Sequence, residues 1–266
     1  FFFQAVDGIR DSSTSRWLGD VYKRQPYRVW EYYNQKCNLH EAYDIAINNK
    51  GIRELPKPTI KLSMQEKMTG KKLIDEVKAK TGKDKIIVFQ SFGRGTINDN
   101  GIIGDPSGRS FEAENTVNLV NKLSKHFGVI FMSEIAIEFQ KHGVKEPIAI
   151  PQNIELRFWL GIIEEADYFL GCDSVGQHMA YALDKPATVV VGSTFKENIS
   201  YPDAKNFDVL DMGEGARVYS PIRITMDELS DRTNEGIMWM NDKIEEVIVE
   251  SCLKGAGLKK DDKKKK

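Results

Sequence analysis

Cysteine and histidine are scarce in this sequence, with three and four copies among 266 residues. The cysteines, at positions 37, 172 and 252, are too widely spaced for a disulfide framework and favour reduced thiols in a cytoplasmic protein. No two of them have metal-ligand spacing, and the histidines are scattered, which argues against a structural metal site. We therefore expect a cytoplasmic protein with no metal and no resident cofactor.

A long apolar run and an excess of charge of one sign are also missing. No apolar stretch approaches the roughly 20 residues that a membrane-spanning helix needs. The 38 basic residues are balanced by 39 acidic ones, so the charge favours neither nucleic acid nor an acidic membrane surface. We expect no nucleic-acid partner and at most peripheral membrane association.

The two ends of the chain differ from the rest. Residues 20–25 are the in-frame translation of a transposon end used in sequencing-library preparation, and residues 4–11 and 15–19 resemble adapter DNA with one change each. A targeting peptide is the alternative, but the apolar start is only three residues long. We interpret residues 1–25 as a non-native leader, and the charged run 259–266 as a disordered tail.

From residue 85 onward, apolar runs alternate with segments of helical spacing. This rhythm predicts a doubly wound parallel sheet of the α/β, Rossmann-like class. The predicted strands are 86–89, 128–132, 147–150, 168–170, 187–191 and 207–210. The predicted helices are 63–79 with a Ser63/Glu66 capping box, 111–127, 133–142, 154–166 and 227–253.

The composition also suggests domain boundaries. Prolines 56 and 58 interrupt a mixed helical segment, so residues 26–80 are predicted to be the remnant of one domain and its linker. Residues 81–226 are predicted to form the binding domain, followed by a C-terminal helical segment over 227–258.

The segment Asp173-Ser174-Val175-Gly176-Gln177-His178 lies between two predicted strands and opens a helix. A polar, glycine-containing turn there presents free N–H groups and the positive end of a helix dipole, which suits a phosphate. Asp173 and Ser174 are expected to cap the helix, and His178 shares the Ser174 face. An ordinary capped crossover helix is the alternative.

Two further loops follow predicted strands. The first begins at Gln90-Ser91, contains Arg94 and continues to Arg109, so that either arginine could bind a phosphate. The second is Ser133-Glu134, which could accept hydrogen bonds from ribose or sugar hydroxyls, although a helix cap explains that pair equally well.

Residues 166–174 contain an Ala-Asp pair, an apolar strand and Asp-Ser, and residues 178–187 contain His followed by Ala-Leu-x-x-Pro. Together these two segments resemble the C-terminal domain of the heptosyltransferase family, glycosyltransferase family 9. The likeness extends more loosely over residues 85–202, including the Gly-Ser-Thr turn at 192–194. It implies the C-terminal half of a GT-B fold, with the N-terminal domain largely missing. The implied activity is inverting, metal-independent transfer of a heptose-like sugar from a nucleotide-diphosphate donor to a surface-glycan or lipopolysaccharide acceptor.

The resemblance also implies roles for individual residues. Asp173 would contact the donor sugar, Ser174 and the amides of Val175 and Gly176 the diphosphate, and His178 the phosphate side of the site. Arg109 matches a phosphate-binding lysine of the family, Glu134 the residue that holds the ribose, and Ile154 a neighbour of the base. Ser91 and Arg94 complete the predicted donor site on the first loop.

The sequence departs from the family pattern at two points. Val175 stands where the family has glycine, with glycine displaced to position 176, and Arg109 to Phe111 replaces a Lys-x-Trp feature. The family's catalytic aspartate belongs to the N-terminal domain, so this chain is expected to bind donor but transfer sugar poorly. A sugar-nucleotide epimerase and a degenerate binding module without activity are the alternative functions.

Overall fold

The computed structural model describes residues 26, 29–99, 101–217, 234 and 236–259. Residues 1–25, which were interpreted as a non-native leader, residues 218–233 and residues 260–266 of the predicted tail lie outside this part of the chain. Within it, every helix is too short or too polar to cross a membrane.

The strands are β1 (Ile86–Gln90), β2 (Ile97–Asp99), β3 (Ile102–Gly104), β4 (Gly128–Phe131), β5 (Tyr168–Cys172), β6 (Ala187–Val191) and β7 (Phe207–Asp211). Five of them form one parallel sheet in the order β4-β1-β5-β6-β7, while β2 and β3 form a separate antiparallel hairpin. At the centre, Val88 is in register with Ile130 of β4 and Phe169 of β5. The strands β4, β1, β5 and β6 are buried along their whole length, as expected of a parallel sheet covered on both faces.

The helices are α1 (Trp30–Tyr33), α2 (Leu39–Asn48), α3 (Met64–Thr81), α4 (Ala113–Leu123), α5 (Leu156–Glu165), α6 (Val175–Ala182), α7 (Lys196–Ile199) and α8 (Asp242–Gly255). Side chains alternate between the faces of β1, so that Ile87 and Phe89 pack with α4 and α8, whereas Ile86 and Val88 pack with α3, α5 and α6. The predicted doubly wound, Rossmann-like α/β sheet is therefore confirmed.

Helix α3 begins with the predicted capping box, in which Ser63 and Glu66 each bond to the other's backbone N–H, and it ends at Gly82 in the left-handed region.

Helix α3 crosses α5 with an unusually short distance between the two backbones. A Cβ added at Gly70 would lie 2.1 Å from the Gly161 carbonyl oxygen, and a Cβ at Gly161 would lie 2.1 Å from the Glu66 carbonyl oxygen. Two glycines thus allow the backbones of these helices to touch. Helix α3 crosses the predicted boundary at residue 80 and packs on the sheet domain. The domain boundaries themselves stay predictions.

The Glu66 carboxylate joins the start of α3 to α5. It accepts bonds from Ser63 N (2.6 Å) and from Arg157 Nη2 (2.9 Å), and the bonds from Arg157, together with those from Ser63, lower the pKa of Glu66 to about 2. Because the pKa is lowered in the folded state, the stabilisation is present above pH 4.5, the ordinary value, and is lost as the pH falls toward 2.

Replacing Glu66 with glutamine is therefore expected to lower the urea midpoint of unfolding at pH 7. It should also flatten the loss of stability between about pH 5 and pH 2, because the variant has no carboxylate to protonate. Urea titrations at several pH values measure both effects. The exposed Glu76 on the same helix provides the control, Glu76→Gln. Parallel pH curves for Glu66→Gln and the parent chain would contradict this account.

Residues 29–62 contact the sheet domain through hydrogen bonds from the buried Asn198 and through a cation–π contact. Asn198 Nδ2 donates to the carbonyls of Tyr32 (3.0 Å) and Cys37 (2.8 Å), and the Lys57 ammonium lies 4.5 Å from the centroid of the Tyr181 ring. Tyr32, Cys37 and Ala42 form a small apolar cluster of their own.

The predicted helix over 133–142 is wrong. The Ser133 hydroxyl accepts from Ile135 N (2.9 Å), a local turn that competes with helix formation. Only a 3₁₀ turn forms at Phe139–His142, and it ends at Gly143 with φ +87°. The irregular segment places both Ile137 and Phe139 in the core.

Two other predicted elements are shorter than expected. The predicted strand 147–150 is a single bridge between Ala149 and Ile130, since prolines 147 and 151 lack the N–H groups that a longer ladder needs. The C-terminal helix begins at Asp242, where Asn241 caps it through a bond from Ile244 N (3.1 Å). Residues 236–241 are not helical, with Gly236 at φ +71°, and residues 227–233 lie outside the described chain.

Candidate functional site

The candidate site lies at the carboxyl edge of the sheet between β1 and β5. The chain leaves β1 toward β4 on one side, and after β5 it continues to β6 and β7 on the other. In sheets of this kind, ligands bind in the crevice that opens where the strand order reverses. Gln90 ends β1 and Asp173 directly follows β5, so both lie at this crevice.

The Gln90 side chain fixes the start of α6. Its Oε1 accepts from Gly176 N (2.9 Å) and its Nε2 donates to Ser174 Oγ (3.2 Å). Ser174 occupies the N-cap position but makes no side-chain cap bond, and Asp173 makes none either. The predicted capping role of these two residues is thus wrong. The Gln90 side chain already satisfies the N–H of Gly176, which they would have bonded. The same N–H, which was predicted to contact the diphosphate, is therefore occupied in the unliganded chain.

Asp173 connects three loops although it is only 6% exposed. Its Oδ1 accepts from Gln177 Nε2 (3.3 Å), and its Oδ2 accepts from Thr194 Oγ1 (3.0 Å) in the turn after β6. Arg109 Nη1 lies 3.9 Å from the same Oδ2. An ionised carboxylate oxygen has two acceptor positions, so each oxygen retains capacity for a ligand hydroxyl.

The loop that carries Arg109 is held by its own polar side chains. Asp105 Oδ1 accepts from Ser107 N (2.8 Å), and Ser107 Oγ in turn accepts from Arg109 Nε (3.0 Å). Gly108 adopts φ +62°, and its carbonyl accepts from Ser193 N (3.1 Å). Arg109 is therefore fixed beside Asp173 before any ligand arrives.

The structure explains how Val175 can stand where the family pattern has glycine, and why glycine is found at position 176. Val175 is the first residue of α6 and is absent from the positive-φ residues of the described chain, so this loop requires no glycine there. Gly176 is needed for a different reason. A Cβ at position 176 would lie 2.4 Å from Gln90 Oε1 and 2.5 Å from Cζ of the buried Phe169 ring.

His178 lies in the first turn of α6, and its Nδ1 is 2.8 Å from the hydroxyl of Tyr201. Burial lowers the pKa of His178, while the nearby charge of Asp173 acts in the opposite direction. The imidazole is therefore neutral at pH 7.

Four other predicted residues share no hydrogen bond or ion pair with this cluster among the described residues. Arg94 is exposed in the turn after β1, and Glu134 is exposed in the bend after β4. Ile154, two residues before α5, is half-buried against the core. Ser91 is fully buried, and its hydroxyl has no partner among the described residues. Their donor contacts stay predictions.

Sequence reasoning missed Gln90 and Tyr201 as parts of the site. Gln90 left a weak signal, because it is the polar residue that directly ends a fully buried apolar strand. Tyr201 left none, since 23 residues separate it from His178. Within the described part of the chain, no group of three or more His, Cys, Asp or Glu residues is arranged to hold a metal ion.

Comparison with known proteins gives structural matches only. No protein-family model matches the chain, and no curated protein matches its sequence. A family 9 glycosyl transferase from Veillonella parvula is 11% identical, with a TM-score of 0.60 over 82% of this chain and 60% of its own. E. coli ADP-heptose lps heptosyltransferase II is 16% identical over 73% of this chain and 61% of its own, with a TM-score of 0.44.

The chain thus spans about 60% of the length of the Veillonella structure. At 11% identity, that match concerns the fold. The described chain has the fold of this family 9 glycosyl transferase structure, and family 9 is the family that its sequence motif resembles.

Proposed function

We propose that this chain binds the nucleoside-diphosphate part of a sugar donor and belongs to a family 9-like glycosyltransferase. The observation that supports the proposal best is the arrangement at the β1–β5 crevice. There the amino end of α6, the Arg109 guanidinium and the Asp173 carboxylate converge. A helix N-terminus and an arginine both favour a diphosphate, whereas a carboxylate accepts from sugar hydroxyls.

The same arrangement suits the chemistry of glycosyl transfer. In an inverting transfer, an acceptor oxygen forms a bond to the anomeric carbon while the bond from that carbon to the diphosphate breaks. The electron pair leaves on the diphosphate, so negative charge develops there. The N–H groups at the start of α6 other than that of Gly176, which Gln90 occupies, and the Arg109 guanidinium would stabilise this charge without reorganisation, and no metal ion is required in this proposal.

Asp173 would have two tasks in such a site. One is to accept a hydrogen bond from a donor hydroxyl, and the other is to hold Arg109, 3.9 Å away, in the position where the diphosphate arrives. The arginine in turn offsets the repulsion between this carboxylate and the phosphates.

The acceptor and the cellular location follow from the resemblance and are part of the proposal. The acceptor would be a saccharide or glycolipid of a surface glycan or lipopolysaccharide. The donor would be met in the cytoplasm, at most with peripheral contact to a membrane. The base that deprotonates the acceptor is assigned to an N-terminal domain of the kind the family carries.

Calorimetry with ADP-sugars and UDP-sugars tests the donor site. Binding is expected in the micromolar to millimolar range, and Arg109→Ala or Asp173→Ala should each weaken it about 10-fold, since each removes a charge-assisted bond. Arg53→Ala is the matched control because Arg53 pairs with Asp44 on α2. If neither class of nucleotide-sugar binds the parent chain, the proposal fails.

A further inference from the structure

The loop after α7 contacts the candidate site through one hydrogen bond. The Tyr201 hydroxyl lies 2.8 Å from His178 Nδ1, and the two rings meet edge to face with centroids 5.7 Å apart. This contact joins residues from two elements that the sequence motif does not connect.

The Tyr201 ring is held firmly in place. It stacks on Tyr181 with centroids 3.5 Å apart and an interplanar angle of 6°, and it meets Phe207 edge to face at 5.6 Å. Lys57 lies over the Tyr181 ring. Because these contacts involve the ring and not the hydroxyl, a phenylalanine at position 201 would keep the ring where it is.

The direction of the hydrogen bond follows from the groups involved. Burial raises the pKa of Tyr201, so its hydroxyl keeps its proton, and burial lowers the pKa of His178, so the imidazole carries one proton. Among the described residues, the Tyr201 hydroxyl has no other partner. If Nδ1–H donated, the phenol proton would have no partner among the described residues, whereas with the phenol as donor both groups are used. This favours Nδ1 as the acceptor, which places the imidazole proton on Nε2.

We propose that Tyr201 is a positioning residue that holds His178 as the neutral Nε2–H tautomer, so that Nε2 donates to the diphosphate of the donor. The assignment of the tautomer rests on the geometry of the unliganded chain, whereas the contact of His178 Nε2 with the donor diphosphate rests on the proposed function. The ionisable groups that face this pair are Asp173, in the loop before α6, and Tyr181, on α6 itself.

Nitrogen-15 NMR of the histidine rings of the full 266-residue chain, at pH 7.5, reports the tautomer without any ligand. Three of the four histidines, His40, His126 and His142, are exposed, and His178→Gln identifies the fourth set of signals. The parent chain is expected to show Nε2–H at His178, and Tyr201→Phe a mixture of tautomers. Tyr181→Phe is the matched control because it removes the hydroxyl of the neighbouring ring, and it should leave the tautomer unchanged. An Nδ1–H form in the parent, or an unchanged tautomer in Tyr201→Phe, overturns the proposal.

Donor titration then tests the use of the tautomer. Tyr201→Phe is expected to weaken binding of the nucleotide-sugar about 3- to 10-fold, the range for one hydrogen bond. His178→Gln should weaken it at least as much. Unchanged affinity in Tyr201→Phe, with the tautomer altered, would overturn the donor contact. The absence of nucleotide-sugar binding in the parent chain would instead count against the proposed function and leave the tautomer result intact.

Discussion

Gly161→Ala is expected to destabilise the chain by about 3 kcal/mol, at the upper end of the cost of overpacking a core. The new Cβ would lie 2.1 Å from the Glu66 carbonyl oxygen and 2.8 Å from its carbon, both of them backbone atoms of α3. Backbone can yield only if the helix moves. Helix α3 would then separate from α5 and weaken the contact between Glu66 and Arg157.

The sign of this effect is informative because alanine favours helix over glycine by up to about 1 kcal/mol. If α3 and α5 did not touch, Gly161→Ala would stabilise the chain. Urea unfolding monitored by circular dichroism distinguishes the two outcomes, and Gly51→Ala, where no atom lies within 4 Å, is the control. A stabilised Gly161→Ala variant would show that the helix crossing is wider than described.

Gly176→Ala is expected to have the largest effect on the candidate site. Its Cβ would meet Gln90 Oε1 at 2.4 Å and Phe169 Cζ at 2.5 Å. The Phe169 ring is fully buried and cannot move aside, so the first turn of α6 must shift. We expect a loss of about 1–3 kcal/mol of stability. A 30- to 100-fold loss of donor affinity should accompany it, because the N–H groups of α6 would no longer be aligned.

Calorimetry well below the melting temperature of the variant separates loss of binding from unfolding. Gly104→Ala, in the β2–β3 hairpin, introduces the same methyl group where no atom lies within 4 Å, and it should bind like the parent. Equal affinity in Gly176→Ala and the parent chain would mean that the amino end of α6 does not contact the donor.

The sequence predicted the elements that depend on neighbouring residues. The apolar runs around Val88, Phe169 and Val189 became buried strands, and the capping box at Ser63 and Glu66 marked the start of α3. Local patterns also misled. The apolar residues at 133–142 suggested a helix, but Ser133 turns the chain and Gly143 ends a single 3₁₀ turn.

The candidate site was predicted in part. The loop that contains Asp173, Ser174 and His178 lies at the carboxyl edge of the sheet, as its place between two strands required. Its neighbour across the crevice was not evident. Gln90 is 86 residues before Gly176 in the chain, yet it satisfies the N–H that Asp173 or Ser174 was expected to cap.

The sequence by itself indicated the five strands of the parallel sheet, the loop that opens α6 and the family that the motif resembles, because these are properties of adjacent residues. It did not indicate the β2–β3 hairpin. Tertiary structure alone decided that β1 lies beside β5, that Arg109 lies beside Asp173 and that Tyr201 bonds to His178. The physical reason is that strand order and side-chain pairing arise from packing between distant segments. No local periodicity records that packing.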